Sequence, residues 1–188
     1  PDLVAIAEKY NARIMIDDAH GTGVLGATGK GTAEYFNMTK APDIIMGSLS
    51  KALGSFGGWI ACTAKVADYL RYYARTIVFS VGLQAPSVAA ANAGLTLIQN
   101  NPSLVLTLKK NADYFRTGLQ DMGLRNPVRS ASAIMSTFIG KDEILRDVSS
   151  ELFQKGIWIE ALPFPAVPRG QERIRFRVSS LHTREDLD

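Results

Sequence analysis

One lysine stands in a loop of small residues, Gly47-Ser48-Leu49-Ser50-Lys51-Ala52-Leu53-Gly54-Ser55-Phe56-Gly57-Gly58. An apolar run, Asp43-Ile44-Ile45-Met46, leads into it, and another, Trp59-Ile60-Ala61-Cys62, leads out. Strand, loop, strand puts Lys51 on a tight turn at the end of a buried strand. A lysine held there is either a phosphate ligand or an amine ready for covalent chemistry. Upstream stands Asp17-Asp18-Ala19-His20. An aspartate at a strand end, with a histidine three residues on, can serve a metal, a hydrolytic triad or a heteroaromatic cofactor.

The first two uses lack partners. The only other histidine is His182, with no acidic pair beside it, which argues against zinc and leaves no metal site expected. No G-x-S-x-G elbow supports a serine triad. Gly21-Thr22-Gly23-Val24-Leu25-Gly26 has the spacing of a dinucleotide loop, but more glycines follow it where a helix is needed. Asp17 and Lys51 taken together suit pyridoxal phosphate (PLP). That cofactor needs a lysine for its Schiff base and an acid to keep its pyridine nitrogen protonated, so that the ring accepts electrons from a carbanion. It also needs a donor near the ring hydroxyl and small hydroxyl residues at its phosphate. His20, Ser48 and Ser50 are of these types. Taken singly, each has a plainer reading as helix cap, loop histidine or surface lysine.

The elements that must position these residues follow from periodicity. Residues 2–11 are helical in pattern, with Asp2 at the N-cap and Asn11 closing. Residues 13–17 read as a short buried strand ending in acid. The spacing predicts a short helix over 32–38, strands at 44–46 and 59–62, a helix over 64–74 and a strand over 76–80. An alanine-rich, well-packed helix over 86–99 is broken at Asn100-Asn101-Pro102, and a long amphipathic helix over 103–122 ends at Gly123. A strand at 133–139, a helix at 141–155 capped by Gly156 and a strand at 157–159 come next. After a proline-rich connector, Arg173-Ile174-Arg175-Phe176-Arg177-Val178-Ser179 alternates charged and apolar, as an antiparallel strand with one open face does. Unbroken apolar strands among helices imply an α/β protein with a mainly parallel sheet, whose ligands bind at the strands' C-terminal ends. Asp17 and Lys51 both lie at such ends. The texture changes after the long helix, so residues 1–110 are expected to belong to a large domain and 111–188 to a small α+β domain.

Composition excludes several classes. The 188 residues are 46% hydrophobic and 21% charged, enough for one sizeable core or two small ones. A net charge of +3, without runs of like charge, does not indicate nucleic acid. No apolar stretch is long enough for a membrane span, and no signal-peptide pattern opens the chain. The single cysteine, Cys62, is expected to be buried packing in a reducing, cytoplasmic compartment. Both ends read as cuts within a longer protein.

Three separated motifs, in order, resemble those of the α-oxoamine synthases, a family of fold-type-I PLP enzymes. They are Ile16–Gly26, Asp43–Gly54 with Gly57-Gly58, and the closing segment Phe164–Gly170 with Arg173-Ile174-Arg175 and Ser179-Ser180-Leu181-His182-Thr183. The resemblance runs from end to end and leans toward the 8-amino-7-oxononanoate synthase and 2-amino-3-ketobutyrate CoA ligase group. It implies a large PLP-binding domain with a small C-terminal one, and a homodimer. It implies Lys51 as Schiff-base lysine and α-proton base, Asp17 on the pyridine nitrogen and His20 on the ring hydroxyl. Ser48 would hold cofactor oxygens, and Arg175 the substrate carboxylate. The implied reaction condenses an amino acid with an acyl-CoA, with loss of coenzyme A and carbon dioxide, to an α-aminoketone. The chain departs from the family after Phe79-Ser80, where Val81-Gly82-Leu83-Gln84-Ala85-Pro86 replaces a threonine followed by paired prolines. Ser80 is the cofactor-contact candidate there. An aminotransferase or decarboxylase of the same fold type is the alternative enzyme class, and a non-catalytic excised domain the alternative outside enzymes.

Overall fold

The computed structural model describes residues 1–124 and 130–188. In chain order the elements are α1 (Asp2–Lys9), β1 (Met15–Asp17), α2 (Thr32–Tyr35), β2 (Ile44–Ser48), β3 (Gly58–Cys62), α3 (Ala64–Tyr73), α4 (Arg75–Val78), α5 (Ala85–Asn100), α6 (Ser103–Asp121), β4 (Ile134–Gly140), α7 (Asp142–Gln154), β5 (Glu160–Leu162), β6 (Glu172–Arg177) and α8 (Arg184–Leu187). They divide into two units, Pro1–Val105 and Leu106–Asp188.

The first unit carries a three-stranded sheet in the order β1-β2-β3. β1 and β2 run parallel, with Asp17 opposite Met46. β3 returns antiparallel, with Ser48 opposite Gly58. The reversal is set by the intervening loop: Leu49 N–H donates to Gly57 O at 2.9 Å and Ser55 N–H to Leu49 O at 2.8 Å, closing residues 49–57 on themselves. Leu49 and Leu53 point inward and form a core with Ala91 of α5, against which Trp59 and Ile98 pack. The intervening Ser50, Lys51 and Ala52 are exposed. Burial of the two leucines thus anchors the loop that presents the lysine.

The second unit carries an antiparallel sheet in the order β4-β6-β5. Leu145 of α7 forms its core with Ile159 and Ile174, and Val148, Leu152 and Phe176 pack around them. Alternation along β6 puts Ile174 and Phe176 on the core side and Arg173, Arg175 and Arg177 on the other. Thr183 and Asp186 make a reciprocal capping box at the start of α8.

Several expectations are corrected. Residues 76–80 are not a strand: α4 occupies 75–78, with Val78 N–H bonded to Ala74 O at 2.9 Å and Phe79 N–H to Arg75 O at 3.0 Å. The strand expected at 157–159 begins at Glu160, because Ile157 N–H is still committed to Leu152 O at the end of α7. Pro1, not Asp2, holds the N-cap of α1, and Asp2 lies in its first turn. Asn11 does take a left-handed φ of 50° just after that helix. Only Ala91 of the alanine-rich α5 is buried. Cys62, expected to be buried, is half-buried at the end of β3.

Candidate active site

Asp17 ends β1, and its exposed carboxylate accepts the Ala19 N–H at 2.9 Å, turning the chain toward His20. His20 lies exposed in that turn. Asp18 faces the other way. It is only 3% exposed, and its N–H bonds Met46 O at 2.8 Å, fastening the end of β1 to β2. Its carboxylate accepts the Thr22 hydroxyl at 3.1 Å, the Thr32 hydroxyl at 2.5 Å and the Thr32 N–H at 3.2 Å. A Cβ on Gly21 or Gly31 would run into that carboxylate, and Gly31 also has φ +94°. Glycine at both positions lets the loop close around a buried acid.

A second carboxylate braces the far side of the loop. Glu34 accepts the Thr28 N–H at 3.0 Å, the Thr28 hydroxyl at 2.8 Å and the Lys30 N–H at 3.1 Å. Burial works to raise its pKa, but these hydrogen bonds and the Lys30 charge outweigh it and hold the carboxyl below its ordinary range. Sequence reasoning assigned no role to Asp18, Thr32 or Glu34. Glycines and threonines spaced around an acid pair were the available signal.

Ser48 ends β2. Its hydroxyl accepts the Ser50 N–H at 3.2 Å and lies 2.7 Å from the Ser50 hydroxyl. That turn precedes Lys51, whose carbonyl accepts the Gly54 N–H at 3.0 Å. Gly47 allows Trp59 to lie against β2, since a Cβ there would come within 2.5 Å of the indole. Asp17, His20, Ser48 and Lys51 therefore all lie at or just beyond the C-terminal ends of the parallel pair β1 and β2, within one unit. Ser80 is also in the first unit, just past α4, where its hydroxyl donates to Thr76 O at 2.5 Å. Arg175 lies in the second unit, at the centre of β6 between Ser136 of β4 and Glu160 of β5. Among the described residues, no cluster of three or more metal-ligating side chains is found, and no helix is long and apolar enough to cross a membrane.

The family model of aminotransferase class I and II matches residues 1–188. The chain belongs to that family. Among its curated relatives, this class I and II aminotransferase-family chain is 40% identical over 188 residues to 8-amino-7-oxononanoate synthase of Petrotoga mobilis, covering all of itself and 48% of the relative. The chain thus spans about half the length of the curated relatives it matches first. Among solved structures, SPT with PLP superposes with a TM-score of 0.93 at 26% identity, over 99% of this chain and 47% of that one. Serine palmitoyltransferase of Sphingomonas wittichii gives 0.91 at 27% identity, over 99% and 47%. The fold-type-I PLP-transferase fold and the likeness to α-oxoamine synthases, both expected from the motifs, are borne out by these relatives.

Proposed function

We propose that the protein to which this chain belongs is a PLP-dependent acyltransferase of the α-oxoamine synthase kind. It would condense an amino acid with an acyl-CoA to an α-aminoketone, with loss of coenzyme A and carbon dioxide. The observation that carries this is the grouping of an exposed amine, an exposed carboxylate, an imidazole and a hydroxyl after two adjacent parallel strands, in a chain 40% identical to an 8-amino-7-oxononanoate synthase.

The donor set fits PLP. Carboxylate and amine sit on separate strand ends, as a ring held at opposite sides requires, and glycine-lined loops leave backbone approachable. PLP, when bound, supplies a ring that stabilises negative charge at the amino acid's α-carbon. Lys51 Nζ would hold the cofactor covalently and, once released, take the α-proton. The Asp17 carboxylate would keep a proton on the ring nitrogen by ion pairing. His20 would hydrogen-bond the ring hydroxyl, and Ser48 and Ser80 would offer hydroxyls to cofactor oxygens. The Arg175 guanidinium would pair with the substrate carboxylate. A homodimer in the cytoplasm completes the reading, supported by the likeness to α-oxoamine synthases and by the single, unpaired cysteine.

The test is product analysis with full-length protein, PLP, an amino acid and an acyl-CoA. Stoichiometric free thiol, carbon dioxide and aminoketone are expected, and Lys51→Ala should lower their formation by about a thousandfold. Conversion of the amino acid to its keto acid without thiol release would instead make the protein an aminotransferase.

A further inference from the structure

The open face of the second sheet treats its three arginines differently. Arg173 is spent locally: Nε donates to Gln171 O at 3.0 Å, and the guanidinium lies over the Phe138 ring, 4.8 Å from its centroid. Arg177 is largely exposed, with Nη2 3.2 Å from Glu160 Oε2. Arg175 is held most firmly. Both Nε, at 2.8 Å, and Nη2, at 2.5 Å, donate to Glu160 Oε2. The pair stands directly opposite across β5 and β6, and each side chain is about two-thirds buried.

We infer that Glu160 is a positioning residue for Arg175 and thereby sets affinity for the amino acid's carboxylate; this rests on the role proposed for Arg175 above. Three features support it. An arginine side chain has many rotamers, and a cross-strand carboxylate that fixes it in advance removes part of the ordering cost of binding. Glu160 grips the Nε–Nη2 edge, and a guanidinium held by that edge can still offer Nη1 to a second carboxylate. Two guanidiniums share this one carboxylate, so the cluster keeps a net positive charge and still attracts an anion. A residue at 160 with no acceptor oxygen would leave Arg175 mobile and the cluster more positive but undirected.

The experiment compares Glu160→Ala, Glu160→Gln and Arg175→Lys in the full-length holoenzyme by steady-state kinetics in both substrates. Glu160→Ala should raise KM for the amino acid about tenfold. Its kcat and its KM for the acyl-CoA should stay within about twofold of the parent. Glu160→Gln, which keeps an acceptor oxygen, should recover most of that loss. Arg175→Lys should raise the amino-acid KM more than either. If Arg175→Lys raises that KM while both Glu160 variants leave it unchanged or lower it, the positioning role is wrong and the Arg175 assignment stands. If Arg175→Lys has no effect, the Arg175 assignment fails and this inference fails with it. A Glu160→Ala loss spread equally over kcat and both KM values would mark a general structural defect and overturn the inference as well.

Discussion

Asp17 and Asp18 are neighbours of one residue type in opposite surroundings. The Asp17 carboxylate is open to a ligand, while that of Asp18 is buried and accepts three hydrogen bonds from Thr22 and Thr32. Sequence alone marks the pair but cannot say which member faces in, because the decisive partner, Thr32, lies fourteen residues away. Removing the buried acid leaves the half-buried Thr22 and Thr32 donors without their partner. Asp18→Ala should therefore cost about 2–3 kcal/mol in denaturant unfolding, and Asp18→Asn less. Glu34 gives a pH signature. Its folded pKa is depressed, so its contribution to stability is fully present above the ordinary value of 4.5 and is lost as pH falls through the lowered folded value. Stability curves of the parent and Glu34→Gln should converge as pH drops below that range; a constant gap across it would contradict the assignment. The Glu160–Arg175 pair was not legible either. Arg173, Arg175 and Arg177 look alike in an alternating strand, and only the register with β5 separates them.

Elements were legible wherever periodicity and packing agreed. β1 sits within its apolar run, β2 runs two residues past 44–46 and β3 begins one residue before 59–62, and α6 and α7 follow their amphipathic patterns to within a residue at either end. The failures share a cause. Thr76-Ile77-Val78 is β-branched, yet extended Ala74 ends α3 and caps a separate short helix, its carbonyl accepting the Ile77 and Val78 N–H groups, so local backbone bonding overrides propensity. Ile157–Ile159 is apolar enough for a strand, but its first N–H closes α7. The lysine loop depends on an element contact that can be tested directly. Gly47→Ala would push a methyl into the Trp59 ring and displace β2 from β3, costing about 1–3 kcal/mol. Lower PLP occupancy should accompany that loss. Leu145→Ala, in the other unit's core, should cost about 2–5 kcal/mol while leaving PLP occupancy of Lys51 at the parent level.

For the molecule as a whole, the motifs carried more than composition did. An acid after one strand, a lysine after the next, and an arginine on a later alternating strand occur in the order of the α-oxoamine synthases, and the superposition with SPT extends over 99% of the chain. Fold and family were therefore readable from the motifs and the family resemblance they carry, whereas the braces that hold the loops came only from contacts between residues distant in sequence. On the proposed function, Lys51 binds PLP covalently. Full-length protein should be mixed with PLP, reduced with borohydride, digested and mapped by mass spectrometry. The phosphopyridoxyl group should appear on the peptide containing Lys51 and vanish in Lys51→Ala. A modification on Lys30, Lys65 or another lysine with Lys51 unmodified, or none on any peptide, would contradict the account.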